Sequence, residues 1–159
     1  MPSAAPGSLA FTFVPTGGGM ECSAFSLAFK CLAVALVTLA TVWGAQLWIN
    51  GLLELSLQSS GWLIAALCLM TYTEWHILSG RTKLDSIALQ QSWVWNKRTE
   101  LRDLAYVKLI RVRGLDWLVA PRLYTKTFSG KLAVFYAASP LMLAEFQRME
   151  RELKALRAQ

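Results

Sequence analysis

The chain has 159 residues, of which 55% are hydrophobic and only 16% are charged. A typical soluble domain carries about 25% charged residues, so this composition argues against a wholly soluble protein and favours a small domain joined to membrane segments. The charge is also unevenly divided, because 15 of the 16 Lys and Arg and seven of the 10 acids follow Leu78. The net charge is therefore +8 after Leu78 and −2 before it, and we expect two environments in one chain.

Residues 1–22 are expected to form a disordered leader. The first 19 residues are rich in Pro, Gly, Ser and Ala, and they contain neither a charged side chain nor a helical period. Met20 follows a run of three glycines and is an alternative start to Met1. A cleavable secretory signal is not expected, because no basic segment opens the chain and the next apolar run is too long.

Residues 23–78 are predicted to form a transmembrane helical hairpin. The first helix covers about 25–49, and as a helix it would be about 37 Å long, enough to cross a bilayer core of about 30 Å. The second has an apolar core at 62–70 that is too short to span alone, so we expect it to cover about 60–78. Amphipathic side chains near the helix ends are the candidate membrane-interface anchors: Trp43, Trp48, Tyr72, Trp75 and His76.

The distribution of basic residues predicts the orientation of this hairpin. The loop 50–60 contains no Lys or Arg, whereas Arg81 and Lys83 directly follow the second helix. Because basic residues accumulate on the cytoplasmic side, we expect a multi-pass protein with both termini in the cytoplasm.

The segment TYTEWHILSG, residues 71–80, holds the only histidine of the chain and raises the question of a chemical site. On a helix, Glu74 and His76 point to different sides and cannot share a metal ion, and on an extended chain two ligands would still be too few. Cys22, Cys31 and Cys68 lack metal-ligand and disulfide spacing. We therefore expect an anchoring role with no metal, and the alternative is a proton- or partner-sensing role for an ionisable group near membrane depth.

After residue 79 the pattern changes to one typical of a small α+β domain. Apolar residues alternate with polar ones in 86–95, 106–112 and 122–128, and a Ser-Gly turn connects the last of these to 132–137. Ser139 and Pro140 predict the start of an amphipathic helix over 140–157, with Arg148 on its polar face. Its apolar stripe comprises Met142, Phe146, Met149, Leu153 and Leu156.

The segments TKLDSIAL, SWVWNKRTELRDLAYVKLIRV and RLYTKTFSGKLAVFYAASPLMLAEFQRM together resemble bacterial pleckstrin-homology-like (PH-like) domains that follow a pair of membrane helices. The resemblance covers about residues 71–157. It implies an α+β membrane protein of the bacterial inner membrane, in which 79–159 form a small antiparallel β-barrel or split sheet closed by the C-terminal helix. Since this region offers fewer strand residues than a seven-stranded barrel needs, we expect one or two strands to be short or missing.

The combined pattern predicts a non-enzymatic, membrane-anchored binding or scaffolding module. Its cytoplasmic domain would contact membrane lipid headgroups or a partner membrane protein, including a second copy of the chain. A solvated basic face is the alternative explanation for the same charges. The candidate binding residues are Arg81, Lys83, Lys97, Arg98 and Arg102.

A second hypothesis makes the protein an accessory or assembly subunit of an inner-membrane complex. Small residues in the first helix, Ala33, Ala40 and Gly44, would allow another helix to approach closely. No nucleophile elbow, phosphate loop, metal cluster or carboxylate pair is visible, so we expect no enzyme, cofactor or small-molecule substrate. Membrane tethering also argues against nucleic acid as a partner.

Overall fold

The structure, a computed structural model, describes residues 11–51, 57–112, 114–115 and 117–158. This part of the chain is α+β, with seven strands in two antiparallel sheets and three α-helices. The elements in chain order are β1 (Gly19–Ser23), α1 (Leu27–Ile49), α2 (Leu57–Ser79), β2 (Arg81–Asp85), β3 (Ala88–Ser92), β4 (Lys97–Glu100), β5 (Leu104–Ile110), β6 (Arg122–Thr127), β7 (Leu132–Tyr136) and α3 (Pro140–Arg157).

The first sheet has the strand order β1-β2-β3-β4, and its first two strands are separated in sequence by both long helices. Ser23 at the end of β1 pairs with Arg81 at the start of β2. The backbone N–H of Ala24 donates a hydrogen bond of 3.0 Å to the carbonyl of Gly80. The helical hairpin is therefore inserted between two neighbouring strands of one sheet.

The prediction of a disordered leader is wrong for residues 11–22, while residues 1–10 lie outside the described residues. Phe11 and Phe13 are only 3% and 1% exposed and belong to the hydrophobic core, and Gly19–Ser23 form β1. The boundary predicted for the domain, 79–159, is wrong for the same reason, because residues 11–24 complete it. Residues 79–159 alone supply six strands, of which β4 has only four residues, and β1 before the hairpin is the seventh described strand.

The hydrophobic core lies between the two sheets and α3. Leu84 and Leu89 from the first sheet and Leu123 and Phe135 from the second are fully buried within one cluster. The predicted apolar stripe of α3 faces this cluster, which confirms its assignment to the core. Its buried members are Met142, Phe146, Met149 and Leu153, and Leu156 is partly buried against them.

The helix α3 is attached to the edge of β5 through Glu150. Its carboxylate accepts hydrogen bonds from the backbone N–H of Leu109 at 3.1 Å and from Lys154 Nζ at 2.7 Å. Burial alone would raise the pKa of Glu150, but these two hydrogen bonds hold that pKa below its ordinary value. The Glu150 carboxylate thus accepts a hydrogen bond from a backbone N–H at the sheet edge, which would otherwise need a water molecule as its acceptor.

Arg148 does not lie on a free polar face, as the helical spacing had suggested. Its guanidinium donates hydrogen bonds to the carbonyl of Val14 and to Thr16 Oγ1, and it stacks 4.6 Å from the ring centre of Phe13. It also forms an ion pair of 3.0 Å with Glu145, whose side chain is almost fully buried. Arg148 therefore connects α3 to the N-terminal segment that packs over it.

The two long helices begin and end close to the predicted positions and lie against each other. The α1 helix is capped by Ser26, whose Oγ accepts a hydrogen bond of 3.2 Å from the N–H of Phe29. By length and composition, α1 alone among the described helices is apolar enough to cross a membrane, and almost none of its most apolar stretch is buried. The α2 helix carries Glu74 and His76 in its last turns, which lowers its hydropathy. The structure thus shows a helical hairpin with one candidate span.

We predict that residues 11–24, joined to 80–158 by an Asn-Gly turn, fold as a domain without the hairpin. A two-residue turn suits this position because Ala24 and Gly80 lie side by side on antiparallel strands. The fragment 80–158 alone lacks β1 and two buried phenylalanines, each worth about 1.5–3 kcal/mol. Limited proteolysis should therefore digest 80–158 and leave the joined domain intact. Equal resistance of the two would contradict the discontinuous domain.

We also predict that Arg148→Ala lowers the free energy of unfolding of this joined domain by about 1–3 kcal/mol. The substitution removes the contacts to the N-terminal segment and leaves the buried Glu145 carboxylate without its cation. Arg151→Ala is the matched control, since Arg151 is exposed on the same helix, and should cost less than about 0.5 kcal/mol. Urea denaturation measures both values, and equal effects would show that Arg148 is only a surface charge.

Candidate functional site

The seam between α1 and α2 is formed by small residues of α1. Gly44 is buried, and a Cβ added there would lie 3.8 Å from side-chain carbons of both Leu63 and Leu67 of α2. Beyond its first turn, α1 has partly buried residues at the spacing of a helix packed against one partner: Ala33, Val37, Ala40 and Leu47, around Gly44. The small residues predicted to permit close helix packing are therefore used within the hairpin itself.

The outer surface of the hairpin is apolar all round. Trp43 and Trp48 project from α1 and Trp62 and Trp75 from α2, each with more than half of its surface exposed. Exposed apolar patches of this extent are rare on soluble monomers and mark contact with a membrane or another protein. Four of the predicted interface anchors, Trp43, Trp48, Tyr72 and Trp75, are exposed on this surface, and His76 lies against Tyr72 with ring centres 4.5 Å apart.

Glu74 and His76 do not come together into one site, because α2 stays helical to Ser79. Glu74 is half buried and borders a groove between the helices that Ala33 and Val37 of α1 also line. Among the described residues there is no group of three His, Cys, Asp or Glu side chains that could hold a metal ion. The segment 71–80 thus forms the exit of α2 from the hairpin.

Lys30 joins the two helices where they enter the domain. Its Nζ donates a hydrogen bond of 2.8 Å to the carbonyl of Leu78 in the last turn of α2. A cation at this position compensates the negative end of the helix dipole and satisfies one of the free carbonyls of that turn. Lys30 therefore stabilises the base of the hairpin.

The five candidate basic residues do not form one patch. Arg81 and Lys97 lie at the end of the first sheet that is next to the hairpin, since Arg81 follows α2 directly and Lys97 pairs with Gln91. Lys83 and Arg98 are in the middle of the sheet, both opposite Gln90. Arg102 is at the far end and is paired with Glu100 at 2.7 Å.

Most of these charges have acidic neighbours on the exposed face of the first sheet. Arg81 lies 3.0 Å from Glu21 on β1, and Lys83 lies 3.4 Å from Asp85. Among the described residues, Arg98 forms no ion pair. Across the sheet, Glu21, Lys83, Gln90 and Arg98 are consecutive partners in register, which gives a row of mixed charge.

The end of the domain next to the hairpin is built from the loop 93–96, the described residues 117–121 of the next loop, and the segment 137–139. Ser26 Oγ donates a hydrogen bond of 2.8 Å to the carbonyl of Leu118, and Ala138 N–H donates one of 3.1 Å to the carbonyl of Ser23. Trp95 and Trp117 project from the two loops and are 71% and 65% exposed. This end therefore combines aromatic side chains with the points where both helices enter the domain.

A cavity of about 200 Å³, here called the junction cavity, lies between this end of the domain and the base of the hairpin. Phe25 contacts both Trp93 and Tyr136, with ring centres 5.6 and 5.8 Å away. The guanidinium of Arg122 lies 5.6 Å above the ring of Tyr136. The lining residues are Phe25, Phe29, Ile77, Trp93, Leu118, Val119, Ala120, Arg122 and Tyr136.

Sequence reasoning missed the junction cavity. The alternation over 86–95 predicted that Trp93 lies within a strand, whereas Trp93 follows β3 and packs against Phe25 at the start of the hairpin. Arg122 received no role, because a single basic residue after a proline carries no signal of its own. Only the pairing of Ser23 with Arg81 reveals that these distant segments meet.

Comparison of the chain with protein-family models, curated proteins and solved structures found no match.

Proposed function

We propose that this protein is a non-enzymatic, membrane-anchored binding or scaffolding module. The observation that carries the proposal is the exposed apolar hairpin inserted between β1 and β2. A side-chain surface of this kind suits a lipid environment, whereas the domain to which it is joined buries its own hydrophobic core. The hairpin thus serves as the anchor and the β domain as the binding part.

The same insertion supports α2 as a second span. The chain leaves the domain at Ala24 and returns to it at Gly80, and these two residues are hydrogen-bonded. If α1 crosses the bilayer, α2 must cross back, because the domain cannot be divided between two sides of a membrane. The α2 helix has 23 residues, or about 35 Å, which is long enough for this crossing.

The depth of the polar residues of α2 is compatible with a span. Glu74 and His76 precede the end of the helix at Ser79 by five and three residues, which is within about 8 Å along the axis. This places them near the headgroup region, where Tyr72 and Trp75 serve as anchors and where Lys30 bonds to α2. Trp43 and Trp48 would anchor the opposite end.

We assign the domain and both termini to the cytoplasm on the distribution of charge. The segment after Leu78 carries a net charge of +8, and the loop 50–60 carries no Lys or Arg. The anionic lipids of the cytoplasmic leaflet attract such basic segments. A bacterial inner membrane is the location implied by the PH-like resemblance.

The architecture supports the PH-like assignment of the domain. Seven strands in sheets of four and three, with a C-terminal helix packed on the core, agree with a small β-barrel closed by a helix. One difference is that its first strand comes before the membrane hairpin, so the domain is discontinuous in sequence. A fold alone assigns no partner, which must be inferred from the surface.

The mixed-charge row of the first sheet favours a protein partner over lipid. Lys83 and Arg98 lie about 7 Å or more beyond Arg81 along the strands, away from the hairpin. Glu21 beside Arg81 and Asp85 beside Lys83 reduce the attraction of this row to an anionic membrane and provide complementary charges for a protein. The small residues behind the alternative of a complex subunit, Ala33, Ala40 and Gly44, are at least partly buried, and Gly44 faces Leu63 and Leu67 of α2.

The proposed topology predicts that the β domain is inaccessible from outside the cell. Cys22, Cys31 and Cys68 are replaced, and single cysteines are introduced at Lys131 in the domain or at Ser56 in the connecting loop. A membrane-impermeant maleimide should label position 56 in intact cells and position 131 only after permeabilisation. Labelling of position 131 from outside would contradict the topology.

The proposed binding face predicts a specific crosslink. A photo-crosslinking amino acid at Gln90, between Lys83 and Arg98, should give a protein adduct in native membranes, identified by mass spectrometry. The same amino acid at Lys126, an exposed position on β6, is the control and should give none. The adduct should be lost in Lys83→Glu/Arg98→Glu, because the complementary charge is reversed. Equal adducts at both positions, or lipid adducts alone, would exclude this face as the protein-binding surface.

A further inference from the structure

We propose that the junction cavity binds the phosphate group of an anionic phospholipid from the leaflet in which the hairpin meets the domain. The proposal rests on the membrane anchoring argued above and names a ligand and a site within it. It assigns roles to Arg122 and Trp93, which the mixed-charge row does not involve.

Two residues that line this cavity each carry a buried N–H group that has no hydrogen-bond partner among the described residues. They are Nε of Arg122 and Nε1 of Trp93. A buried donor without an acceptor is costly and rare, so two at one cavity indicate that an acceptor belongs there. An acceptor with several oxygens would satisfy both.

The ligand should also be negatively charged. Arg122 is partly buried, and none of the acids among the described residues forms an ion pair with it. A second cation lies next to the cavity, because Lys97 Nζ is 5.9 Å from the ring centre of Trp93. A partly buried guanidinium is best compensated by a carboxylate or a phosphate, which it can bind through two parallel hydrogen bonds.

The remaining walls and the position of the cavity favour a lipid as the source of the phosphate. Phe25 and Ile77 line it from the two ends of the hairpin, and Leu118 lines it from the loop of the domain. These apolar side chains suit the glycerol and the first carbons of an acyl chain, whereas a free phosphate would leave them uncovered. At about 200 Å³, the cavity has several times the roughly 30 Å³ that one water occupies in the liquid.

The test uses the full chain, labelled with 5-fluorotryptophan and reconstituted into nanodiscs. The ¹⁹F resonance of Trp93 is assigned by its loss in Trp93→Phe. Nanodiscs of phosphatidylcholine alone are compared with discs that also contain phosphatidylglycerol, and inorganic phosphate is added to the former in a separate arm. We expect phosphatidylglycerol to shift the Trp93 resonance and inorganic phosphate to leave it unchanged.

Two variants with the same change in charge separate a site from general attraction. Arg122→Gln should raise, by about tenfold or more, the phosphatidylglycerol content that is needed for half of the Trp93 shift. This is the change expected when a hydrogen bond to a charged group is lost. Arg98→Gln, in the middle of the first sheet, should leave the shift as in the unmodified chain. The resonances of Trp95 and Trp117 report whether each variant is folded, and Arg122→Lys, which keeps the charge, should retain part of the shift.

Several results would overturn the proposal. If Arg122→Gln and Arg98→Gln reduce the Trp93 shift equally, the attraction to anionic lipid is diffuse and involves no specific site. If inorganic phosphate alone shifts the resonance, the ligand is not a lipid. No shift in any arm would leave the cavity without an anion. A chain that fails to enter nanodiscs would instead contradict the membrane anchoring, so the two failures are distinguishable.

Discussion

The pairing of β1 with β2 across the inserted hairpin is the constraint on which the rest of the structure depends. Ser23 and Arg81 are partners in register although more than fifty residues separate them in sequence. This pairing brings both ends of the hairpin to one edge of the domain, and it makes the seven-stranded core possible. It also means that the chain leaves the domain into α1 and returns from α2 at the same place, because Ala24 and Gly80 are hydrogen-bonded.

The consequence for membrane topology follows from the hydrogen-bonding of the backbone rather than from hydropathy. By composition, α1 is the only described helix that is apolar enough to span a membrane, and α2 carries Glu74 and His76 in its last turns. A sheet hydrogen-bonded between Ala24 and Gly80, however, cannot be completed from opposite sides of a bilayer. For a short polar segment near a helix end, chain connectivity is thus a stronger argument than mean hydropathy.

Local patterns in the sequence were sufficient to predict the helices and the strand hairpin 122–137. The α3 stripe was predicted because Met142, Phe146, Met149 and Leu153 recur at helical spacing, and that spacing depends on one element alone. The role of residues 11–22 could not be predicted in this way. Phe11 and Phe13 stand in a segment rich in glycine and proline, and their burial depends on β1 finding a partner beyond the hairpin. Arg148 was placed on a free face for the same reason, since its contacts come from Phe13, Val14 and Thr16.

The residues of the candidate site were even harder to predict from local sequence patterns. Basic residues could be listed from the sequence, but their grouping could not, and the structure places Arg102 at the far end of the sheet from Arg81. The residues that do converge, Phe25, Trp93, Arg122 and Tyr136, come from four separate segments.

Their convergence follows from the insertion. Because α1 and α2 leave the domain between β1 and β2, the loop 93–96 and residues 117–121 lie beside the hairpin, and the exposed Trp95 and Trp117 lie at this end. In a membrane-anchored protein this end would lie against the headgroups, so the position of the cavity is set by the same strand pairing that closes the domain.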